Sequence, residues 1–156
     1  MQTMKQAATE FLASERIAVT GVSRSPKDHG ANTVFRRLRE RGYEVFPVNP
    51  NATEVEGVAS YHDLHSIPGG VDAVVIATAP DKADDTMREC AELGIDRGWM
   101  HHGPGPTSVS PSATSYGRER GITVIDGGCP LMFEPTADLG HKIMRVVLAG
   151  RVPKKV

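Results

Sequence analysis

The sequence has little cysteine and no long hydrophobic run. Its two cysteines, Cys90 and Cys129, cannot form the dense disulfide framework of small secreted domains, so we expect a cytoplasmic protein. The longest apolar stretch, residues 71–79, contains Asp72 and is too short to cross a bilayer. Residues 1–14 are polar and lack the apolar centre of a secretory signal. These absences predict no association with a membrane.

Aromatic residues and charge of one sign are also scarce. Phe, Trp and Tyr make up 5% of the chain, and the formal net charge is -1 with both signs interleaved. Nucleic-acid-binding domains usually carry a basic stripe or an aromatic stacking platform, and neither pattern is present. No C-x-x-C or H-x-x-x-H spacing occurs, and the adjacent His101 and His102 would point to opposite sides of a strand. We therefore predict neither a nucleic-acid partner nor a metal site.

What the sequence does contain is a regular alternation of strand and helix patterns. The predicted strands cover residues 17–22, 44–48, 71–77, 97–101 and 122–125. The predicted helices cover residues 1–14, 31–41, 81–93, 111–120 and 136–149. This alternation predicts a single α/β domain over residues 1–156, with a Rossmann-like, doubly wound parallel sheet of five strands and helices on both faces. The expected strand order is 3-2-1-4-5, with ligands bound at the carboxyl ends of the strands.

The first predicted strand ends in a small, polar and basic loop. Residues 21–27 read Gly-Val-Ser-Arg-Ser-Pro-Lys and precede the next predicted helix. A strand, a glycine turn and a helix N-terminus together form an anion site, because free backbone N–H groups and the helix dipole point at the ligand. The serines and basic residues of this loop favour a phosphate. The sequence therefore predicts a nucleotide ligand.

The loop nevertheless departs from the dinucleotide fingerprint. In a G-x-G-x-x-G motif that starts at Gly21, Ser23 and Pro26 stand where the second and third glycines belong. The second predicted strand ends in Asn49-Pro50, where NAD-binding proteins usually carry an acid for the ribose hydroxyls. These departures argue against an ordinary NAD dehydrogenase.

Four short motifs, in a fixed order, carry a family resemblance. They lie at or shortly after the ends of predicted strands, and they are Thr20-Gly-Val-Ser23, Val48-Asn-Pro50, Ala77-Thr-Ala-Pro80 and Cys129-Pro130. With them, residues 15–135 resemble the small stand-alone coenzyme A-binding proteins. The domain of those proteins is similar to the CoA-binding N-terminal domain of the succinyl-CoA synthetase α subunit. The resemblance implies a Rossmann-like fold and coenzyme A as the ligand.

The resemblance also implies a role for each motif. The loop that would hold the pyrophosphate, with the basic side chains for the 3′-phosphate, comprises Gly21, Val22, Ser23, Arg24, Ser25 and Lys27. The residues that would border the adenosine and the start of the pantetheine arm are Asn49, Pro50, Ala77, Thr78, Ala79 and Pro80. The residues that would lie toward the thiol end are His101, Cys129 and Pro130. Family members often carry Gln in place of His101, and an acid–Arg pair in place of Gly127-Gly128.

Cys129 suggests a second hypothesis, a nucleophile with His101 as its base. The sequence offers no oxyanion-binding group or acid partner for such a pair, and a buried free cysteine is usually inert. We therefore predict no catalytic residue.

The sequence favours a protein that binds coenzyme A or an acyl-CoA without catalysis of its own. In succinyl-CoA synthetase the phosphorylated histidine belongs to a different domain. An NADP-type Rossmann oxidoreductase stays open as an alternative, because NADP carries a 2′-phosphate at a similar distance, although the usual substrate domain is lacking. An interaction module that has lost its ligand also stays open, with the C-terminal helix packed in a homodimer. The expected partners are thus a small nucleotide and a second copy of the chain.

Overall fold

The computed structural model describes residues 1–25 and 30–156. The helices are α1 (Met4–Leu12), α2 (Gly30–Glu40), α3 (Pro80–Leu93), α4 (Pro111–Glu119) and α5 (Leu139–Val147). The strands are β1 (Arg16–Thr20), β2 (Glu44–Val48), β3 (Glu54–Val55), β4 (Val58–Ala59), β5 (Ala73–Ile76), β6 (Arg97–Met100) and β7 (Thr123–Asp126). Five of these strands form one parallel sheet, and β3 pairs with β4 in a separate antiparallel hairpin. The α/β class and the five-stranded parallel sheet are confirmed.

The strand order differs from the prediction. The sheet runs β2-β1-β5-β6-β7, which is 2-1-3-4-5 for the parallel strands, so the predicted order 3-2-1-4-5 is wrong. β2 lies at the edge because Pro47 has no N–H for a further strand, and its carbonyl accepts a hydrogen bond from the N–H of Tyr61 at 3.0 Å instead. The segment that follows the β3–β4 hairpin thus covers this edge. β5 pairs with the other side of β1.

Helices cover both faces of the sheet, as the alternation predicted. Side chains of successive strand residues point to opposite faces, so Val19 and Trp99 pack with α1 and α2. Val74 and Met100 pack with α3 and α4. All four of these side chains are fully buried. A central strand that is apolar on both faces is typical of a doubly wound sheet.

The terminal helices are shorter than predicted, for reasons that lie in their caps. α1 begins at Met4 because Thr3 and Gln6 form a reciprocal capping box. α5 begins at Leu139 because the carboxylate of Asp138 accepts the N–H of His141 at 2.8 Å. The Thr136 hydroxyl donates to backbone carbonyls of the preceding turn, which holds residues 136–138 outside the helix.

The two ends of the chain pair with each other. The N–H of Gln2 donates to the carbonyl of Val156 at 3.2 Å, and the N–H of Val156 returns a bond of 3.1 Å. Thr3 and Lys155 form an antiparallel bridge between them.

Among the described residues, none of the helices combines the length and the apolar composition that crossing a bilayer requires.

Candidate functional site

The candidate site lies at the carboxyl ends of β1 and β5. The helices that follow these neighbouring strands, α2 and α3, pack on opposite faces of the sheet. Such a switch in direction opens a crevice between the two strand ends, where α/β proteins bind their ligands. The hydroxyl of Thr20, at the end of β1, accepts the N–H of Ala77, just past the end of β5, at 3.2 Å. This bond fixes the distance between the two loops.

Gly21 turns the chain out of β1 at a point where no side chain fits. Its φ is +79°, a left-handed conformation that L side chains rarely adopt. A Cβ at this position would lie 2.4 Å from the carbonyl oxygen of Ala77 and 3.4 Å from Cγ2 of Thr78. The glycine therefore allows the loop after β1 to lie directly against the loop after β5.

Asn32, on α2, holds the loop that follows Gly21. Its Oδ1 accepts the N–H of Ser23 at 2.9 Å, and its Nδ2 donates to the carbonyl of Ser23 at 2.8 Å. The same Nδ2 donates to the carboxylate of Glu56 at 2.9 Å. Because Asn32 is completely buried, these bonds define the position of the loop. Further out, the N–H of Ser25 donates to Oγ of Ser23, while Arg24 and Ser25 are exposed.

The bond between Asn32 and Glu56, which we call the Asn32–Glu56 brace, reaches the site from the β3–β4 hairpin and was not predicted from the sequence. Glu56 and Gly57 form the hairpin turn with φ of 50° and 75°, and the two strands contain only two residues each. Glu56 also pairs with Arg36 of α2 at 2.9 Å. The only local signal was a glycine turn between valines, which predicts a turn but does not indicate what it contacts.

Asn49 ties the end of β2 to the same loop. Its Nδ2 donates to the carbonyl of Val22 at 3.0 Å, and its Oδ1 accepts the N–H of Asn51 at 2.8 Å. Both polar ends of the amide are thus bound by protein, and Pro50 beside it is exposed. These contacts position the loop, so Asn49 acts on the crevice through Val22.

The loop after β5 forms the second wall of the crevice. Thr78 is partly buried, and its hydroxyl oxygen is shielded from solvent without a hydrogen-bond partner in residues 1–25 and 30–156. A buried hydroxyl without a partner is uncommon and indicates a missing bond, for instance to a ligand. Ala79 and Pro80 are exposed, with Pro80 as the first residue of α3. Of the predicted site residues, Lys27 lies outside the described residues.

His101 follows β6 and reaches back toward the start of α2. Its Cε1 lies 3.3 Å from the Cβ position of Gly30 and 3.1 Å from that of Gly103. Burial, with smaller contributions from the neighbouring His102 and His141, lowers the pKa of His101 to about 4. The imidazole is consequently neutral at pH 7.

Protonation of His101 is expected to destabilise the folded protein as the pH falls from 6.5 to 4. The unfolded chain binds the proton at the ordinary pKa, so it holds more protons than the folded chain in this range, and the free energy of unfolding decreases. The decrease should reach about 3 kcal/mol and then level off. Urea unfolding at several pH values checks this. A His101→Gln variant should lose this part of the pH dependence, and an unchanged slope would contradict the assignment.

Cys129 and Pro130 are buried in the core and not at the surface of the crevice. Cys129 is 3% exposed and packs within the cluster that includes α1 and α2, and Pro130 starts a 3-10 turn through Met132. Burial raises the pKa of Cys129 to about 12. The thiol is therefore protonated at neutral pH and is not an activated nucleophile.

Comparison with known proteins assigns these features to a family. The CoA binding domain family matches residues 15–135, the same range over which the sequence resembles the coenzyme A-binding proteins. This chain belongs to the CoA-binding domain family. Among its relatives is the alpha subunit of an ADP-forming acetate–CoA ligase II from Pyrococcus furiosus, 30% identical over 149 residues. That match covers 91% of this CoA-binding domain and 32% of the ligase subunit, so the chain spans about a third of the relative.

Smaller relatives match the CoA-binding domain over most of their own length. The uncharacterized protein YneT of Bacillus subtilis is 32% identical over 116 residues, which is 74% of this chain and 82% of YneT. The structure of a hypothetical protein from Pyrococcus horikoshii superposes with a TM-score of 0.70 at 26% identity, covering 77% of this chain and 82% of that one. A dinucleotide-forming acetyl-coenzyme A synthetase 1 from Ca. Korarchaeum cryptofilum shares the fold, with a TM-score of 0.64 at 20% identity over 88% of this chain and 36% of that chain.

Gly127 and Gly128 have a structural explanation in this CoA-binding domain. A Cβ on Gly127 would lie 2.4 Å from the carbonyl oxygen of Arg151, and the N–H of Gly128 donates to that oxygen at 2.7 Å. The Gly127 carbonyl also accepts the indole N–H of Trp99 at 2.8 Å. The C-terminal segment therefore occupies the space in which larger side chains would lie.

One group of potential metal ligands lies apart from the crevice of the CoA-binding domain. Asp63, His65 and Glu89 each offer a ligand atom within 4.8 Å of the others. Nδ1 of His65 lies 3.0 Å from Glu89, and its Nε2 lies 3.2 Å from Glu92. Asp63 accepts both the N–H and the hydroxyl of Ser66. The ion pairs of His65 and the turn that Asp63 caps thus account for this cluster without a metal.

Proposed function

We propose that this protein binds coenzyme A or an acyl-CoA in the crevice between β1 and β5, and that it has no catalytic activity of its own. The observation that carries this proposal is the close approach of Gly21 to Ala77, which brings the loops after β1 and β5 together as the two walls of the crevice. Membership of the CoA-binding domain family supports the identity of the ligand. The unpartnered hydroxyl of Thr78 fits a site that a polar ligand completes.

The pyrophosphate fits best at the loop after β1. Within the described residues, the backbone N–H groups of Val22 and Arg24 donate to no protein acceptor, whereas those of Ser23 and Ser25 are bound within the loop. Free N–H groups near the N-terminal end of α2 bind phosphate oxygens well, since the helix dipole is positive there. In this proposal, phosphate oxygens of the ligand accept the hydrogen bonds of these two N–H groups.

The absence of catalysis rests on the charge states of the two reactive side chains near the site. A general base works best when its pKa lies near the working pH, and the pKa of His101 is about 4. A nucleophilic cysteine needs a thiolate, and the pKa of Cys129 is about 12. Neither group has the charge state or the basicity that acyl transfer demands. The ligase activity of the longer relatives would then require the parts of those proteins that this chain does not span.

The deciding experiment measures the binding of coenzyme A, dephospho-coenzyme A, acetyl-CoA, NAD and NADP by calorimetry and thermal unfolding. Coenzyme A at 100 times its dissociation constant should stabilise the protein by about 2.7 kcal/mol. The dephospho form should bind more weakly, because it lacks the 3′-phosphate. No stabilisation by coenzyme A, or stabilisation by NADP alone, would refute the proposal. Turnover of acetyl-CoA to free thiol would refute its second part.

We expect an Arg24→Gln variant to bind coenzyme A about 10- to 150-fold more weakly, because one hydrogen bond to a charged group is lost. Arg24 is exposed on the loop, so the change should leave folding intact. The variant should also bind coenzyme A and the dephospho form equally well. Arg41→Gln is the matched control, since Arg41 directly follows α2 and lies near the amino ends of β1 and β2, away from the crevice. If the preference for the 3′-phosphate survives in the Arg24 variant, this assignment is wrong.

A further inference from the structure

The last helix presents an apolar face to solvent. Leu139, Ile143, Val146 and Val147 are 75%, 54%, 73% and 74% exposed. In the described ranges, only Met1 and Leu93 are other large hydrophobic residues that are exposed. The four residues of α5 share one side of the helix, and we call this surface the α5 face. A concentrated apolar surface of this kind usually marks an interface.

Contacts on the opposite side of α5 hold the helix against the domain. Met144 packs against the core, and the guanidinium of Arg145 lies 5.1 Å from the ring centre of Phe133. A helix of nine residues gains little stability from its own backbone and depends on packing. The exposed side carries more aliphatic residues than the packed side, but they make no contribution to the packing of α5 within a single chain. The α5 face is therefore not explained by the fold.

We propose that the α5 face binds the same face of a second copy of this chain, antiparallel, across a two-fold axis that passes near Ile143. Leu139, Ile143 and Val147 follow one another at intervals of four residues. This row is symmetric about Ile143, so an antiparallel copy places Leu139 against the partner's Val147. Rows with a spacing of four residues are also those that interlock in the commonest class of helix packing. The face is thus complementary to itself.

The helix dipoles favour the antiparallel arrangement over a parallel one. In a parallel pair like ends of the two helices would lie side by side, whereas an antiparallel pair places the positive N-terminal end of each helix beside the negative C-terminal end of its partner. Of the basic residues of α5, Arg145 lies over Phe133 on the opposite side of the helix. Lys142 is already paired with Glu134 of its own chain.

The area of the α5 face agrees with a weak but specific dimer. Four aliphatic residues exposed by half to three quarters give an apolar patch in the range of roughly 300–600 Å². Two such faces bury about 1,000 Å² in total, which is the lower limit for a biological interface. We therefore expect a dissociation constant in the micromolar range and association that depends on concentration.

Sedimentation velocity at several protein concentrations, from about 1 to 200 µM, tests the proposal. The wild-type protein should shift from monomer to dimer within this range. An Ile143→Asp variant should weaken the association by at least about 100-fold, because it buries a carboxylate in the centre of the interface. Leu93→Asp is the matched control, since Leu93 is an exposed aliphatic residue on α3. Circular dichroism should show that both variants are folded.

The direction of the helices can be tested separately by oxidation. In an antiparallel pair, a Leu139→Cys protein mixed with a Val147→Cys protein should form a disulfide between the two variants, because these positions face each other, and diamide takes up the two electrons and two protons. In a parallel pair each variant would instead form a disulfide with its own copy. The native Cys90 and Cys129 are buried and should not react. Leu93→Cys should form no such dimer. A wild-type protein that stays monomeric throughout, or a dimer that Ile143→Asp leaves unchanged, would refute the proposal and leave another partner for this face.

Discussion

Replacing Gly21 by alanine is expected to lower the free energy of unfolding by about 3–5 kcal/mol and to abolish the binding of coenzyme A. Two costs add at this position. The left-handed φ of +79° disfavours any residue with a Cβ, and the new methyl group would lie 2.4 Å from the carbonyl oxygen of Ala77. The backbone carbonyl cannot rotate away without breaking the contact between the two loops. Urea unfolding and calorimetric titration with coenzyme A measure the two effects.

A second glycine of the chain separates these two costs. Gly42 has a φ of +90°, but no atom lies within 4 Å of its Cβ position. Gly42→Ala should therefore show only the conformational cost, about 1–2 kcal/mol, and should keep its affinity for coenzyme A. The difference between the variants measures the close approach at the crevice. Equal losses of stability, or retained binding in Gly21→Ala, would show that the contact with Ala77 does not shape the site.

Replacing Asn32 by leucine should lower the free energy of unfolding by about 4 kcal/mol and the affinity for coenzyme A by at least about 100-fold. The side chain keeps a similar size but loses three hydrogen bonds, two to Ser23 and one to the carboxylate of Glu56. The loop after Gly21 would then lose the contacts that hold its N–H groups in place. The measurements are the same two, unfolding in urea and titration with coenzyme A.

Two further variants show whether the loss of affinity comes from the Asn32–Glu56 brace or from a general loss of stability. In Asn32→Asp the side chain can still accept the N–H of Ser23, but it cannot donate and it repels Glu56, so affinity should fall nearly as far. Asn51→Leu changes an exposed asparagine nearby and should alter neither quantity. If Asn32→Leu binds coenzyme A as tightly as the wild type, the loop does not depend on this side chain.

The parts of the fold that sequence could predict are those set by local chemistry. Helix α4 was predicted within one residue, because Pro111 starts it and Gly121 follows its end. The strand order was missed because neighbours in a sheet are chosen by contacts far apart in the chain. Pro47 was the available signal, since a proline within a strand indicates an edge. An edge position for β2 on its own would have excluded 3-2-1-4-5.

In the candidate site, too, the parts that depend on local sequence could be predicted and those that depend on distant contacts could not. The glycine turn after β1 and the loops at the strand ends could be located, because each is a short motif next to a strand pattern. The Asn32–Glu56 brace could not, because it joins α2 to a hairpin of two-residue strands that has no periodicity. The sequence also could not show that Cys129 packs in the core and not at the surface of the crevice, since a residue's position along the chain does not give the depth at which its loop packs.

The pairing of the two chain ends has a topological consequence. Because Gln2 and Val156 hydrogen-bond to each other in both directions, the polypeptide closes on itself into a ring joined by non-covalent bonds. A short linker between these residues would complete the ring covalently without moving a strand. The fold would then not depend on the position at which the chain starts. New ends could be opened in an exposed loop, and the crevice between β1 and β5 would retain the same neighbours.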